Sequence, residues 1–183
     1  MTLSGVIRRV TAKYYHAQAS AALRLRSNAV AFTDPLHLPD WLPLDSRLII
    51  PLMTPIDTVL AFLGCINERD VDKLAALMTE DHTFIDSLGQ AVRTREKMRA
   101  GWRAYFAFCP DYWVSHEEIL QSGNIVAVFG AAGGTIAVNG KLPPENKWRT
   151  PASWMAVVHD GLVKEWRVYA DNKPVYDILA KSK

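Results

Sequence analysis

His82-Thr83-Phe84-Ile85-Asp86-Ser87-Leu88-Gly89 reads as a short strand running into a turn, and it lies between two segments with helical periodicity. Alternation along a strand puts His82, Phe84 and Asp86 on one face. The neighbours on that face are apolar or aromatic. A carboxylate among them loses hydration, which suits it to general-base work near neutral pH. The same carboxylate is also well placed to end the strand and cap the turn at Ser87-Leu88-Gly89. The local pattern leaves both uses of Asp86 open.

Upstream of this strand, Thr54-Pro55 is an N-cap followed by Pro at the first helical position. Ile56, Val59, Leu60, Leu63 and Ile66 then recur at helical spacing. A second short helix follows, capped by Asp70, with Leu74, Leu77 and Met78 as its apolar face. Downstream, a third helix is expected over about 94–108, capped by Thr94. Its inward stripe is Met98, Trp102, Tyr105, Phe106 and Cys109. Arg95, Arg99 and Arg103 share another face, as a solvated stripe or one that steers an anion. Four strands are expected near 112–121, 124–137, 148–159 and 162–170. Gly123-Asn124 and Asp160-Gly161 mark tight turns between them. Segregated helices followed by an antiparallel meander give the α+β class. A strongly curved sheet with three N-terminal helices across its open side makes a cone-shaped α+β barrel enclosing a cavity.

The 183 residues suffice for one domain with an appendage, and nearly half of them are apolar. No apolar stretch is long enough to span a bilayer. Cys65 and Cys109 sit among apolar residues and read as buried free thiols, which fits a reducing, cytoplasmic setting. Residues 1–33 hold Arg8, Arg9, Lys13, Arg24 and Arg26 and no acidic residue. The remaining 16 basic and 19 acidic side chains leave the rest of the chain mildly acidic, which argues against nucleic-acid binding. The basic head has the composition of an organellar transit peptide, of a basic amphipathic helix, or of an extension without a task of its own. Pro35, Pro39, Pro43, Pro51 and Pro55 exclude regular structure over 34–55, where an extended arm is expected. The expected division is an extension over 1–52 and a domain over 53–183. No nucleotide, metal or redox motif is visible, and no cofactor is expected. Gly130 to Gly134 lacks the strand-to-helix setting of a phosphate loop.

The order of elements, the strand Thr83-Phe84-Ile85-Asp86-Ser87-Leu88-Gly89 and the end Val163-Lys164-Glu165-Trp166-Arg167-Val168-Tyr169-Ala170-Asp171 resemble the SnoaL-like branch of the nuclear transport factor 2-like superfamily. The resemblance covers about 54–179. That superfamily includes ketosteroid isomerases, polyketide cyclases, scytalone dehydratases and limonene epoxide hydrolases, and it also includes non-catalytic binders. The resemblance implies that Asp86 stands where ketosteroid isomerases carry their base. Their oxyanion-hole tyrosine falls on Phe62, which has no hydroxyl, and their protonated aspartate falls near Trp154, whose indole offers one N–H. Losing one oxyanion donor typically costs about 10²–10³ in rate, which argues against a standard ketosteroid isomerase. The Asp-Arg-Asp set of limonene epoxide hydrolases falls on Gly130, Ala132 and Val168, and that mechanism is excluded. His82 and His116 are candidate auxiliary acids, or structural histidines.

In this register Val128, Gly130, Ala132 and Gly134 line one wall of the cavity. Phe62, Trp102, Phe106, Trp154, Trp166 and Val168 line the others. Small residues facing aromatic ones suit a flat, apolar ligand. Alternatively, the aromatic rings fill the space themselves. Arg167, Tyr169 and Asp171 face outward, on the sheet face that the resemblance implies is a homodimer interface. Three functions remain: an isomerase, cyclase or dehydratase using Asp86; a non-catalytic binder of a small hydrophobic molecule; and an assembly module docking through its Pro-rich arm.

Overall fold

The computed structural model describes residues 53–181. The basic head and most of the Pro-rich arm lie outside the described residues. Helix α1 (Pro55–Glu68) begins with a capping box: the Thr54 hydroxyl oxygen accepts from the Asp57 N–H, and the Asp57 carboxylate accepts from the Thr54 N–H. Val59, Phe62, Leu63 and Ile66 form its inward stripe, and all four are buried. Each contributes about 1.5–3 kcal/mol by leaving water. Asp70 caps α2 (Val71–Ala76) by accepting from the Lys73 N–H. Strand β1 (Met78–Ile85) follows, then the three-residue β2 (Ala91–Arg93) and helix α3 (Arg95–Phe108). The sheet is completed by β3 (Trp113–Ser122), β4 (Ile125–Thr135), β5 (Lys147–His159) and β6 (Leu162–Ala170).

The six strands form one sheet in the order β2-β1-β6-β5-β4-β3. Every pairing is antiparallel except β1 with β6. The fold is therefore α+β, with a mostly antiparallel sheet. Val128 pairs with Trp154, Gly130 with Ala152, Ala132 with Thr150 and Gly134 with Trp148. These residues share the inner face, which packs with α1 and α3 into one apolar core. Trp154 pairs with Val168 and Ala156 with Trp166, so β6 continues the same face.

Strict alternation back from Trp166 would turn Lys164 inward. A register shift at Val157/Val158 pairs Val158 with Val163 instead, so Val163 and Trp166 both reach the core. The Asp160-Gly161 turn between β5 and β6 has φ of 50° and 74°, the left-handed geometry of a two-residue hairpin. Among the described residues, no helix is long and apolar enough to cross a membrane.

Two elements depart from the sequence reading. A fourth described helix, α4 (Lys173–Lys181), follows β6, so the helices are not confined to the N-terminal side. Asp171 initiates it by accepting from the Lys173 N–H. Val175, Ile178 and Leu179 then give it an apolar stripe, and Ile178 is buried in the core. Strand β2 is the second departure, since three residues are too few to show alternation in the sequence.

Candidate functional site

Asp86 lies one residue beyond β1, at the head of the turn into β2. Its Oδ1 accepts from the backbone N–H of Leu88 at 2.9 Å and of Gln90 at 2.8 Å. Its backbone closes the same turn through Asp86 N–H to the Gln90 carbonyl and Gly89 N–H to the Asp86 carbonyl. The carboxylate thus organises the turn, and the residue is half-buried. No described residue donates to its other oxygen, Oδ2. The neighbouring Ser87 hydroxyl accepts from Asn172 Nδ2 at 2.7 Å, tying this turn to the start of α4.

His82 and Phe84 point inward from β1. Phe84 pairs with Trp166 and is half-buried. His82 is completely buried. Its Nδ1 lies 2.8 Å from the Val163 carbonyl oxygen. A carbonyl only accepts, so Nδ1 carries the proton and Nε2 keeps its lone pair. Nε2 has no partner. Burial lowers the pKa of the ring, against the opposing effects of the Val163 bond and the charges of Asp81 and Glu165. His82 is therefore neutral near pH 7 and an acceptor at Nε2, while the sequence left it open between an auxiliary acid and a structural histidine.

Phe62, Trp154 and Trp166 form the aromatic floor beside His82. The Phe62 ring lies 4.8 Å from Trp166 and 6.3 Å from His82, and Trp154 stacks on Trp166 at 6.3 Å. The small residues opposite are not an open wall along their length. A Cβ on Gly130 would land on the Ser115 carbonyl of β3, and one on Gly134 would meet the Cys109 sulfur. Glycine at these two positions admits the protein's own atoms. Val128 and Ala132 are buried, and Val168 is half-buried.

A second aromatic cluster gathers under α3. Trp102 stacks on Phe106 at 5.2 Å, Tyr112 stands edge-on to Tyr105 at 4.9 Å, and Trp148 stacks on Tyr112 at 6.1 Å. The Trp102 indole N–H has no hydrogen-bond partner, and the Trp148 indole N–H meets no nitrogen or oxygen acceptor but acts weakly on the Cys109 thiol. Burial pushes the Tyr105 and Tyr112 phenols well up, which keeps them neutral. Burial, followed by the charge of Asp111, pushes the Cys109 thiol up to about 11. Cys65 and Cys109 are both buried and free. The sequence alone does not single out Tyr112 and Trp148 as members of this cluster. Trp148 was readable as an inner residue of β5, since it keeps the parity of Trp154.

His82 and His116 are not brought together. His116 is exposed on the edge strand β3, opposite Gly130, at a register shift. The arginine stripe of α3 is occupied by acids: Arg99 and Arg103 bind Asp72, and Arg95 binds Glu80. Among the described residues no group of three or more His, Cys, Asp or Glu side chains is placed to hold a metal ion.

Solved structures share this architecture. One is a putative SnoaL-like polyketide cyclase from Jannaschia sp. CCS1, 24% identical over 71% of this chain and 94% of that one, with a TM-score of 0.61. Another is IdmH, a putative polyketide cyclase from Streptomyces antibioticus, 26% identical over 69% of this chain and 99% of that one, with a TM-score of 0.58. A third is an LEH-like epoxide hydrolase from M. tuberculosis, 19% identical over 69% of this chain and 90% of that one, with a TM-score of 0.58. No curated protein matches the sequence. The family model of the SnoaL-like domain matches residues 59–166, more than half of the sequence, from within α1 to the middle of β6, and the chain belongs to that family.

Proposed function

We propose that this SnoaL-like protein binds a small hydrophobic or polycyclic molecule against the aromatic inner face of its sheet, and that Asp86 moves a proton on it as general base in an isomerisation, cyclisation or dehydration. The observation that carries this reading is the Asp86 carboxylate. Two backbone N–H groups fix one oxygen, the other has no donor among the described residues, and the strand behind it presents Phe84 to Trp166 and His82 to Phe62. A fixed carboxylate loses little freedom when it meets a substrate C–H. Phe62 and Trp154 do not supply the paired oxyanion donors of a ketosteroid isomerase. The substrate must then spread its own developing charge, as a carbon between two carbonyls does. No cofactor enters this chemistry. Asp86→Asn tests it, because the amide oxygen still accepts from Leu88 and Gln90 and preserves the turn. The expected result is retained binding with turnover lost; full turnover in Asp86→Asn removes Asp86 as the base.

The bonds from Leu88 and Gln90 also favour a second reading, in which Asp86 serves only its turn and the domain binds without catalysis. That reading predicts saturable binding indifferent to Asp86→Asn and no substrate turned over.

We further propose that the protein is a homodimer through the outer sheet face. Phe129, Ser153 and Tyr169 lie in one row across β4, β5 and β6, with Ile125 and Leu120 nearby, and Leu120, Ile125, Phe129 and Tyr169 are exposed. Sedimentation of Phe129→Glu is expected to show a monomer. An unchanged dimer would move the interface elsewhere.

A further inference from the structure

His82 holds a lone pair that nothing in the folded domain uses. Its Nδ1–H is committed to the Val163 carbonyl, and its own carbonyl accepts from the Thr94 N–H at 2.8 Å, so both ring and backbone are fixed. Nε2 is fully covered and has no donor. The inner-face side chains beside it, Phe62 and Phe84, are hydrocarbon. A water there would lack the further partners that hold buried waters in place. A nitrogen lone pair gains nothing from an aromatic face, which is itself electron-rich. Burying an acceptor without a donor is costly, and the surrounding chain offers no compensation.

We propose that Nε2 of His82 accepts a hydrogen bond from a neutral hydroxyl on the ligand of the inner face, a phenol, enol or alcohol, and so selects ligands that carry this group at their buried end. This rests on the binding reading above and names the ligand class it implies. A cation is not favoured at this point. The acidic groups that influence the ring, Asp81 and Glu165, lie on positions of β1 and β6 that do not face the core. Access requires a ring to turn aside, and Phe84 is the half-buried ring on the same strand face.

The test uses the full-length protein and two probes of one shape, naphthalene and 2-naphthol. Both are expected to bind saturably, with 2-naphthol about tenfold tighter. That difference is expected to vanish in His82→Phe. Because this variant can fail to fold, histidine ¹⁵N spectra of the unaltered protein provide a second measurement. Nε2 should resonate as an unprotonated nitrogen and shift with 2-naphthol but not with naphthalene. Equal affinities with an unmoved resonance, or a protonated Nε2, overturn the acceptor role and leave the binding reading standing. If neither probe binds, the binding reading fails, and the role of His82 fails with it.

Discussion

The two aromatic clusters of the inner face treat their polar atoms differently. Under α3, the indole N–H of Trp102 lies unpaired among aromatic rings, and that of Trp148 has no nitrogen or oxygen acceptor. An N–H gains weakly from an electron-rich ring face or a sulfur, and the Trp148 indole does act on the Cys109 thiol. The end of this cluster is tied shut. Asp111 accepts from the Thr135 N–H at 2.6 Å and from its hydroxyl at 2.8 Å, and the Cys109 sulfur sits over Gly134. Beside α1, the unpaired atom is an acceptor, the His82 Nε2, and rings offer it nothing. That cluster also adjoins the strand that leads to Asp86. One end of the core is therefore arranged to hold the sheet together, and the other retains an unmet bonding capacity on the strand that leads to a fixed carboxylate.

The largest expected effect tests the cluster beside α1. Trp166→Ala removes the ring that Phe62 and Trp154 both contact, and it should cost about 3–5 kcal/mol in urea denaturation. The same variant should abolish binding of naphthalene. Retained binding would place the ligand away from the α1 end and break the contrast between the two clusters. Next comes Gly130→Ala, whose added methyl meets the backbone of β3 rather than a movable side chain. A loss of about 2–3 kcal/mol is expected, since strand β3 must shift. A change within about 0.5 kcal/mol would mean that β3 does not sit over this glycine in solution.

How much of this was legible beforehand depended on range. The N-cap at Thr54, the helical spacing of Val59, Leu63 and Ile66 and the inner parity of Val128 and Trp154 follow from spacing within single elements, and the structure reproduces them, while Leu60 of the same expected stripe is exposed. The meaning of Gly130 does not, because the atom that requires it belongs to Ser115 on another strand. The bulge that brings Val163 inward is likewise a property of two strands together, and with it the tautomer of His82. Helix α4 was readable at Val175, Ile178 and Leu179, but three apolar positions in nine residues are a weak signal until β5 is there to receive them. For Asp86 the sequence offered a cap and a base. The structure shows the capping bonds, and the role as base rests on the free oxygen those bonds leave.

Smaller effects separate the two ends by pH. Asp111→Ala should cost about 1–2 kcal/mol by leaving the Thr135 N–H without its acceptor. Burial alone would raise the Asp111 carboxyl, but the Thr135 hydroxyl and N–H outweigh it and hold the group below its ordinary 3.8. A depressed carboxylate stabilises the fold above that value, and its contribution is lost as pH falls below it. His82 acts in a higher window. Its folded pKa lies below the ordinary 6.5, chiefly through burial, so below pH 6.5 the unfolded chain binds the proton first. Stability then falls as pH drops from 6.5 toward the folded value, with a slope of at most about 1.4 kcal/mol per pH unit for one proton. Above 6.5 both states are neutral at this residue and the slope vanishes. Urea midpoints taken between pH 7.5 and 5.5 should show this decline, and His82→Phe should flatten it. A wild-type profile that is flat across this range would mean that His82 takes up its proton as readily in the fold as in water, and the contrast between an open acceptor and a closed end would be lost.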